Sequence, residues 1–149
     1  MLVALAGCSN LKPYPNDHDT NALVRVKNEG GGFFSKTRPD VHLYSVDATC
    51  QAQYLGTVEL DRPSVEIGLP LNQTLLLEFV FSKSTFGGSE SSTRIEMMTT
   101  PRKGARYEFE VAYLRNGYTA TGVEVQQGKR REVEHRRLRH CVASKKTGA

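Results

Sequence analysis

The sequence predicts an all-β protein, a single antiparallel β-sandwich of the transthyretin or immunoglobulin-like kind with about eight or nine strands. Three observations predict this fold. Hydrophobic residues recur with a period of two, turn residues separate the segments at roughly ten-residue spacing, and no segment has the 3.6-residue period of an amphipathic helix. The chain of 149 residues is long enough to bury the core of one such domain.

Alternation places the apolar side chains of each segment on one face of a strand. In residues 41–46, Val41 and Leu43 are expected to face the core, with His42 and Tyr44 on the opposite face. The same reasoning applies along the whole chain. The predicted strands cover residues 22–27, 41–46, 54–60, 64–69, 73–81, 93–100, 105–114, 118–126 and 131–141.

Two of these segments carry more specific predictions. Within the predicted strand 73–81, residues 75–81 are apolar on both faces except at Glu78, so this strand is expected to be central in its sheet. Residues 54–60 alternate, which places Tyr54 and Val58 on the same face.

Turn residues punctuate the strands, and Asn116-Gly117 is the strongest of these signals. An Asn-Gly pair suits a type I′ turn, in which both central residues have positive φ, so residues 106–114 and 118–126 are predicted to form a hairpin. The other turn signals are Pro70-Leu71-Asn72, Phe86-Gly87-Gly88-Ser89, Arg102-Lys103-Gly104 and Gln127-Gly128-Lys129.

The chain begins with the short apolar stretch MLVALAGCSN. Its segment Leu5-Ala6-Gly7-Cys8 resembles the lipobox of bacterial lipoproteins. That resemblance implies cleavage before Cys8, a diacylglycerol thioether on its sulfur and an acyl chain such as palmitate on its new amine. Ser9 follows, and in lipoproteins a residue other than Asp at that place usually permits transfer to the outer membrane. A strand over residues 2–7 is the alternative interpretation, which the small residues of this stretch disfavour.

The expected organisation follows from this start. A secretory signal has a positively charged n-region followed by ~7–15 apolar residues. Residues 1–7 are shorter than that and contain no Lys or Arg, so they are expected to be the remainder of a signal peptide. Residues 8–21, with two prolines, are predicted to be a lipidated extended tether, residues 22–141 the sandwich, and residues 142–149 a basic flexible tail. No run reaches the ~18 apolar residues of a membrane-spanning helix.

The three cysteines fit an exported protein. If Cys8 carries lipid, Cys50 and Cys141 remain as an even pair, and we predict a disulfide between them because exported proteins occupy an oxidising compartment. In the chain-entropy model, closing the loop between Cys50 and Cys141 contributes on the order of 4–5 kcal/mol to the stability of the fold. The alternative is a pair of buried free thiols that pack as small hydrophobes.

Charge is concentrated at the C-terminus. Residues 129–149 hold eight basic and two acidic side chains, whereas residues 1–128 hold twelve basic and fourteen acidic ones. Anionic phospholipid headgroups, lipopolysaccharide phosphates and peptidoglycan carboxylates are the partners that such a patch favours, and export disfavours nucleic acid. A solvated strand face with a charged tail is the alternative. The predicted basic patch comprises Lys129, Arg130, Arg131, Arg136, Arg137 and Arg139.

The sequence contains no recognisable catalytic constellation, and we predict no cofactor and no metal. His135 and His140 lie near Cys141, but an odd spacing on a strand points the two histidines to opposite faces. The triplet at residues 30–32 is glycine throughout, but it lacks the Lys and the Ser or Thr of a phosphate-binding loop. A hydrolase with an unrecognised site is the remaining enzymatic hypothesis.

These features together predict a non-enzymatic lipoprotein of the outer membrane, facing the periplasm, whose sandwich binds a protein partner or supports envelope or secretion-complex assembly. The run Leu75–Val125 resembles small β-sandwich lipoproteins of Gram-negative bacteria. In length, anchor and strand content the chain is also similar to the transthyretin-like lipoprotein of the type VI secretion membrane complex. The alternatives are a binder of lipopolysaccharide or peptidoglycan, through the basic C-terminal strand, and a periplasmic immunity lipoprotein.

Overall fold

Two β-sheets packed face to face form the structure, a computed structural model that describes residues 11–28, 35–85, 90–114 and 117–141. These residues contain nine strands and a single 3-10 turn at Leu138–His140, which confirms the predicted all-β sandwich. The strands are β1 (Ala22–Asn28), β2 (Ser35–Val46), β3 (Ala52–Glu59), β4 (Ser64–Ile67), β5 (Thr74–Thr85), β6 (Glu90–Thr99), β7 (Arg106–Leu114), β8 (Gly117–Gln126) and β9 (Lys129–Glu132).

The strand order is β4-β1-β7-β8-β9 in one sheet and β3-β2-β5-β6 in the other. We call these the five-stranded and the four-stranded sheet. Within the described ranges every pair is antiparallel except β1 and β7, which are parallel with Ala22 opposite Tyr107. The prediction of a wholly antiparallel sandwich is corrected at this pair. No hairpin joins β1 to β7, so nothing in the local sequence fixes their relative direction.

The core between the sheets is made of the apolar side chains that occupy alternate positions along the predicted strands. Val41 and Leu43 of β2 are buried there, as predicted. Across the interface, the Phe79 ring lies 5.8 Å from the Phe109 ring, centroid to centroid. Strand β5 lies between β2 and β6, so the prediction of a central strand is confirmed. Burial of each large aliphatic side chain stabilises the fold by ~1.5–3 kcal/mol.

Strand β3 departs from regular alternation. The pairing of β2 with β3 shifts register between Leu43 and Tyr44, next to Gly56, whose φ is 144°. Tyr54 consequently contacts Tyr44 on the outer face of the four-stranded sheet, while Val58 packs against the core. The prediction that Tyr54 and Val58 share a face is therefore wrong, because one extra residue in a strand reverses the direction of every side chain beyond it.

The predicted hairpin between β7 and β8 is observed, with Leu114 opposite Gly117. Residues 115 and 116, which include the predicted turn residue Asn116, lie outside the described residues. Strands β8 and β9 form a second hairpin, with positive φ at Gln127 and Gly128. The predicted turns ending at Asn72 and Gly104 are also present, whereas residues 86–89 are outside the described ranges.

The last strand is shorter than predicted. Strand β9 ends at Glu132, and residues 133–141, which we call the C-terminal segment, leave the five-stranded sheet. The Val133 side chain is buried near Gly122, whose lack of a Cβ leaves room for it, and the Glu134 carbonyl accepts a hydrogen bond from the Met98 amide of β6. A strand cannot continue because the chain here crosses from one sheet to the other.

Residues 11–21, which we call the N-terminal segment, lie against the sandwich instead of forming a free tether. Tyr14 is buried, and its hydroxyl donates to the Gly68 carbonyl over 2.6 Å. The Asn21 side chain exchanges two hydrogen bonds with the Leu69 backbone. The predicted extended conformation fits two prolines, and these side-chain hydrogen bonds fix the segment to the two residues that follow β4.

Both lateral openings between the sheets are covered by chain ends. The N-terminal segment pairs with β3, with Pro13 beside Thr57, and continues to β4. The C-terminal segment passes from β9 to β6 on the other side. The described residues contain no helix long and apolar enough to cross a membrane.

Candidate functional site

The disulfide predicted between Cys50 and Cys141 is present, with the two Cα atoms 5.8 Å apart. Cys50 follows a tight turn in which the Asp47 carboxylate accepts hydrogen bonds from the backbone amides of Thr49 and Gln51 and from the Thr49 hydroxyl. The Thr49 hydroxyl and these amides lower the pKa of Asp47. The turn is thereby held in the shape that presents Cys50 to the C-terminal segment.

The C-terminal segment covers part of the outer face of the four-stranded sheet. Leu138 and Cys141 pack on a small apolar cluster formed by Val46, Leu76 and Met98. The Leu138 amide donates to the Glu96 carboxylate of β6 over 2.8 Å. The disulfide and this cluster together fix the end of the chain to three strands of the sheet.

The predicted basic patch is divided by the structure into two parts. Lys129, Arg130 and Arg131 lie on β9, whereas Arg136, Arg137 and Arg139 lie on the C-terminal segment beyond the crossing. All six side chains are exposed. Because the crossing separates the two groups, the six residues do not form one continuous strand face.

Carboxylates neutralise half of these cations. Arg130 lies 3.1 Å from Glu108. Arg131 lies 3.3 Å from Glu124. Arg136 is 4.0 Å from Glu134, and both of these side chains are substantially exposed. Among the described residues, the other three members of the patch have no ion-pair partner; they are Lys129, Arg137 and Arg139.

A cleft of about 770 Å³, which we call the end cleft, lies between the C-terminal segment and the turns at one end of the sandwich. Glu124 on its wall is only 5% exposed at the side chain. Its carboxylate accepts hydrogen bonds from Arg102 and from the Tyr107 hydroxyl, the latter over 2.8 Å. Burial acts to raise the pKa of Glu124, but these donors and the charge of Arg131 outweigh it and lower the pKa.

The outer face of the four-stranded sheet holds a second group of buried polar side chains. His42 Nδ1 is 2.5 Å from the Thr57 hydroxyl, which also contacts the Tyr54 hydroxyl, and Tyr54 lies 3.3 Å from the Lys12 carbonyl. The carbonyl only accepts, so the order of donation runs from His42 through Thr57 and Tyr54 to Lys12. Burial lowers the pKa of His42, which keeps the imidazole neutral near pH 7.

Glu78 is the third buried polar group on this face, and it lies beside His42 on β5. Burial raises the pKa of its carboxyl, and the opposing charge of Arg94, at 3.2 Å, reduces that effect. Burial likewise raises the pKa of Tyr44. We call His42, Tyr44, Tyr54, Thr57, Glu78 and Arg94 together the polar face.

Several polar groups of this face are engaged with one another. Thr57 is buried and is flanked by two hydrogen-bond partners, so its hydroxyl is occupied within the fold. His135 Nε2 lies 2.6 Å from the Ala120 carbonyl, and the Cys141 sulfur is bonded to Cys50 and is not available as a metal ligand. Within the described residues no three His, Cys, Asp or Glu side chains converge as metal ligands.

The sequence reasoning missed the polar face and the role of Glu124. His42 and Glu78 were placed on the outer face correctly, but alternation alone gives no sign that they are buried there. One signal was available: Glu78 lies inside the apolar run LLLEFVF, where a charged residue needs a partner.

The predicted lipidation site, Cys8, lies outside the described residues. Neither the protein-family models nor the curated proteins include a match to this chain.

Proposed function

We propose that this protein is a bacterial envelope lipoprotein, anchored in the outer membrane by acylation of Cys8 and facing the periplasm. The disulfide between Cys50 and Cys141 is the observation that carries the proposal, because structural disulfides are typical of exported proteins. That pairing leaves Cys8, within the lipobox-like segment Leu5–Cys8, as the cysteine free for lipid. Two or three acyl chains hold a protein on a membrane stably, whereas one does not.

The sandwich itself acts in this proposal as a non-enzymatic module that binds a protein partner of the envelope or of a secretion complex. The polar face supports this role, since tyrosine and arginine are enriched where proteins recognise each other. Tyr44 and Tyr54 are half-buried and rigid, and the Arg94 side chain is 62% exposed beside them. A rigid aromatic surface loses little conformational entropy on binding.

Fatty-acid labelling tests the anchor. The gene is expressed from its full reading frame with a clickable palmitate analogue, beside the Cys8→Ala variant. We expect label on the unaltered protein and none on the variant. A protein without label, or a labelled variant, would show that the proposal is wrong at this step.

In-cell photo-crosslinking tests the partner. A benzoylphenylalanine at position 94 lies on the polar face, and one at Arg25 lies exposed on β1 of the other sheet. We expect an adduct with one envelope protein from position 94 and not from position 25. Equal adducts from both positions, or none from position 94, would argue against the polar face as the binding surface.

A second candidate function is binding of lipopolysaccharide or peptidoglycan through the basic C-terminal strand. The exposure of Lys129, and its lack of an ion-pair partner among the described residues, favours it. Such binding would weaken steeply between low and physiological salt, because exposed charges are screened within ~8–10 Å. An immunity lipoprotein would instead bind a toxin in a salt-tolerant complex.

A further inference from the structure

The start of the N-terminal segment and the end of the C-terminal segment both border the outer face of the four-stranded sheet, in the half nearer the turn at residues 47–51. Pro13 pairs with Thr57 in the parallel sense, so the chain before Pro13 runs back along β3 toward its first residue, Ala52. Cys141 is bonded to Cys50, two residues before that strand begins. We call this end of the sandwich, where the turn at residues 47–51 lies, the disulfide end.

Side-chain contacts connect the two chain ends across the outer face of the four-stranded sheet. The Tyr54 hydroxyl contacts the Lys12 carbonyl, and the Tyr54 ring lies 5.4 Å from the Tyr44 ring. Tyr44 packs against the same apolar cluster as Leu138 and Cys141. Lys12 and the C-terminal segment therefore lie on one side of the molecule, a few side chains apart.

The position of Leu11 limits how far the domain can stand from a lipid on Cys8. Leu11 is the third residue after Cys8, and an extended chain spans at most ~3.3–3.6 Å per residue. An acyl group on Cys8 therefore holds Leu11 within about 11 Å of the membrane surface. That distance is close to one Debye length at physiological ionic strength, so charges at this end feel the headgroups.

The unpaired cations of the patch are found at this same end. Arg137 and Arg139 flank Leu138, are exposed and have no ion-pair partner among the described residues. The nearby Asp47 carboxylate is already occupied by three hydrogen bonds within its own turn. Arg130, by contrast, is paired with Glu108 on β7.

We propose that Lys12, Arg137 and Arg139 form a surface that binds anionic phospholipid headgroups, so that the disulfide end faces the membrane in which Cys8 is anchored. The inference rests on the proposed lipid anchor. Its consequence is a fixed orientation: the opposite end of the sandwich, where β7 ends at Leu114, points away from the bilayer. Two features favour anionic phospholipid as the ligand of this surface. The connection from Leu11 to Cys8 is short, and the charge of the three cations is opposite to that of the headgroups.

Vesicle sedimentation tests the charge contact without the lipid. The full chain with Cys8→Ser is mixed with vesicles of phosphatidylglycerol and phosphatidylcholine, or of phosphatidylcholine alone. We expect binding to the anionic vesicles, weaker by about 30-fold in the pair Arg137→Gln and Arg139→Gln, at roughly fivefold per cation. The matched pair Arg25→Gln and Arg38→Gln removes the same charge from exposed strand positions and should change binding less than threefold. Equal losses from both pairs, or equal binding to neutral vesicles, would overturn the proposal.

Tryptophan fluorescence tests the orientation of the acylated protein. The chain contains no tryptophan, and Leu11 and Leu114 are both exposed; Leu11 lies two residues before the pairing of Pro13 with β3, and Leu114 is the last residue of β7. In vesicles with brominated lipids we expect quenching for Leu11→Trp and none for Leu114→Trp. Equal quenching, or the reverse order, would overturn the proposed orientation. Fatty-acid labelling of the same samples reports the anchor separately, so a failed anchor and a wrong orientation are distinguished.

Discussion

Single buried carboxylates are held in this protein by particular donors. Glu124 is surrounded by the Arg102 guanidinium, the Tyr107 hydroxyl and the Arg131 guanidinium. Among the described residues, Arg94 is the one cation that pairs with Glu78, and burial raises the pKa of Glu78. The number of donors, and not burial alone, therefore decides which of the two carboxyls remains ionised most easily.

We expect Glu124→Gln to lower the free energy of unfolding by about 1–3 kcal/mol at pH 7, because the Arg102 and Tyr107 donors lose a charged acceptor. The pKa of Glu124 lies below its ordinary value of 4.5. Its contribution is therefore present above pH 4.5 and is lost as the pH falls through the lowered pKa. Urea unfolding at several pH values measures both effects.

Glu132→Gln is the matched control for this substitution, since Glu132 is exposed on neighbouring β9. It should change stability by less than about 0.5 kcal/mol. A loss in Glu124→Gln that stays the same at low pH would contradict the assigned role of the charge.

The N-terminal segment and the C-terminal segment are both packed on the sheets, although neither forms a regular strand. The Thr57 amide donates to the Lys12 carbonyl over 2.8 Å, and the Tyr14 amide donates to the Thr57 carbonyl over 2.9 Å. The close approach depends on Gly56, because a Cβ there would lie 2.4 Å from the Tyr14 Cα. Backbone contact at that distance leaves no room for any side chain.

We expect Gly56→Ala to detach residues 12–14 from β3, since the new methyl group meets backbone atoms that cannot move aside. Hydrogen exchange of the Tyr14 and Thr57 amides should lose its protection. Gly128→Ala is the control: its φ of 74° also favours glycine, but no atom lies within 4 Å of the added Cβ. It should cost about 1–2 kcal/mol from backbone strain and leave both amides protected. Continued protection in Gly56→Ala would refute the docking.

Strand identity was predictable where one face of a strand is core and the other is solvent. Strand β7 fits this pattern, with Tyr107, Phe109 and Val111 buried in alternation. Alternation did not predict the conformation at positions where tertiary contacts decide it. The register shift beside Gly56 and the crossing after Glu132 depend on partners distant in sequence. The polar face was not predictable for the same reason, because burial of Glu78 depends on neighbouring strands.

At the level of the whole molecule, the open edges of both sheets are short, charged or covered. Strands β4 and β9 have only four residues each, and β9 is charged throughout. The N-terminal segment covers β3, and the C-terminal segment meets β6. These features oppose edge-to-edge association of the sheets.

We expect the pair Cys50→Ser and Cys141→Ser to lower the free energy of unfolding by about 4–5 kcal/mol, since the cross-link closes a loop of 91 residues. The C-terminal segment should also fray. Denaturant unfolding measures the first effect, and hydrogen exchange of the Met98 and Val133 amides, which bond to Glu134 and Gly122, measures the second. The Cys8→Ser variant keeps the disulfide and is the control. Full protection of both amides in the double variant would contradict this view.

The position of the disulfide in the chain also sets an order of events during synthesis. Cys50 is made 91 residues before Cys141, so its thiol waits for its partner while most of the sandwich is still being added. The other cysteine made by then in this sequence is Cys8, which is the wrong partner. A diacylglycerol thioether formed on the Cys8 sulfur during export would remove that thiol from exchange before Cys141 emerges. The lipid would then protect the folding pathway as well as attach the finished protein.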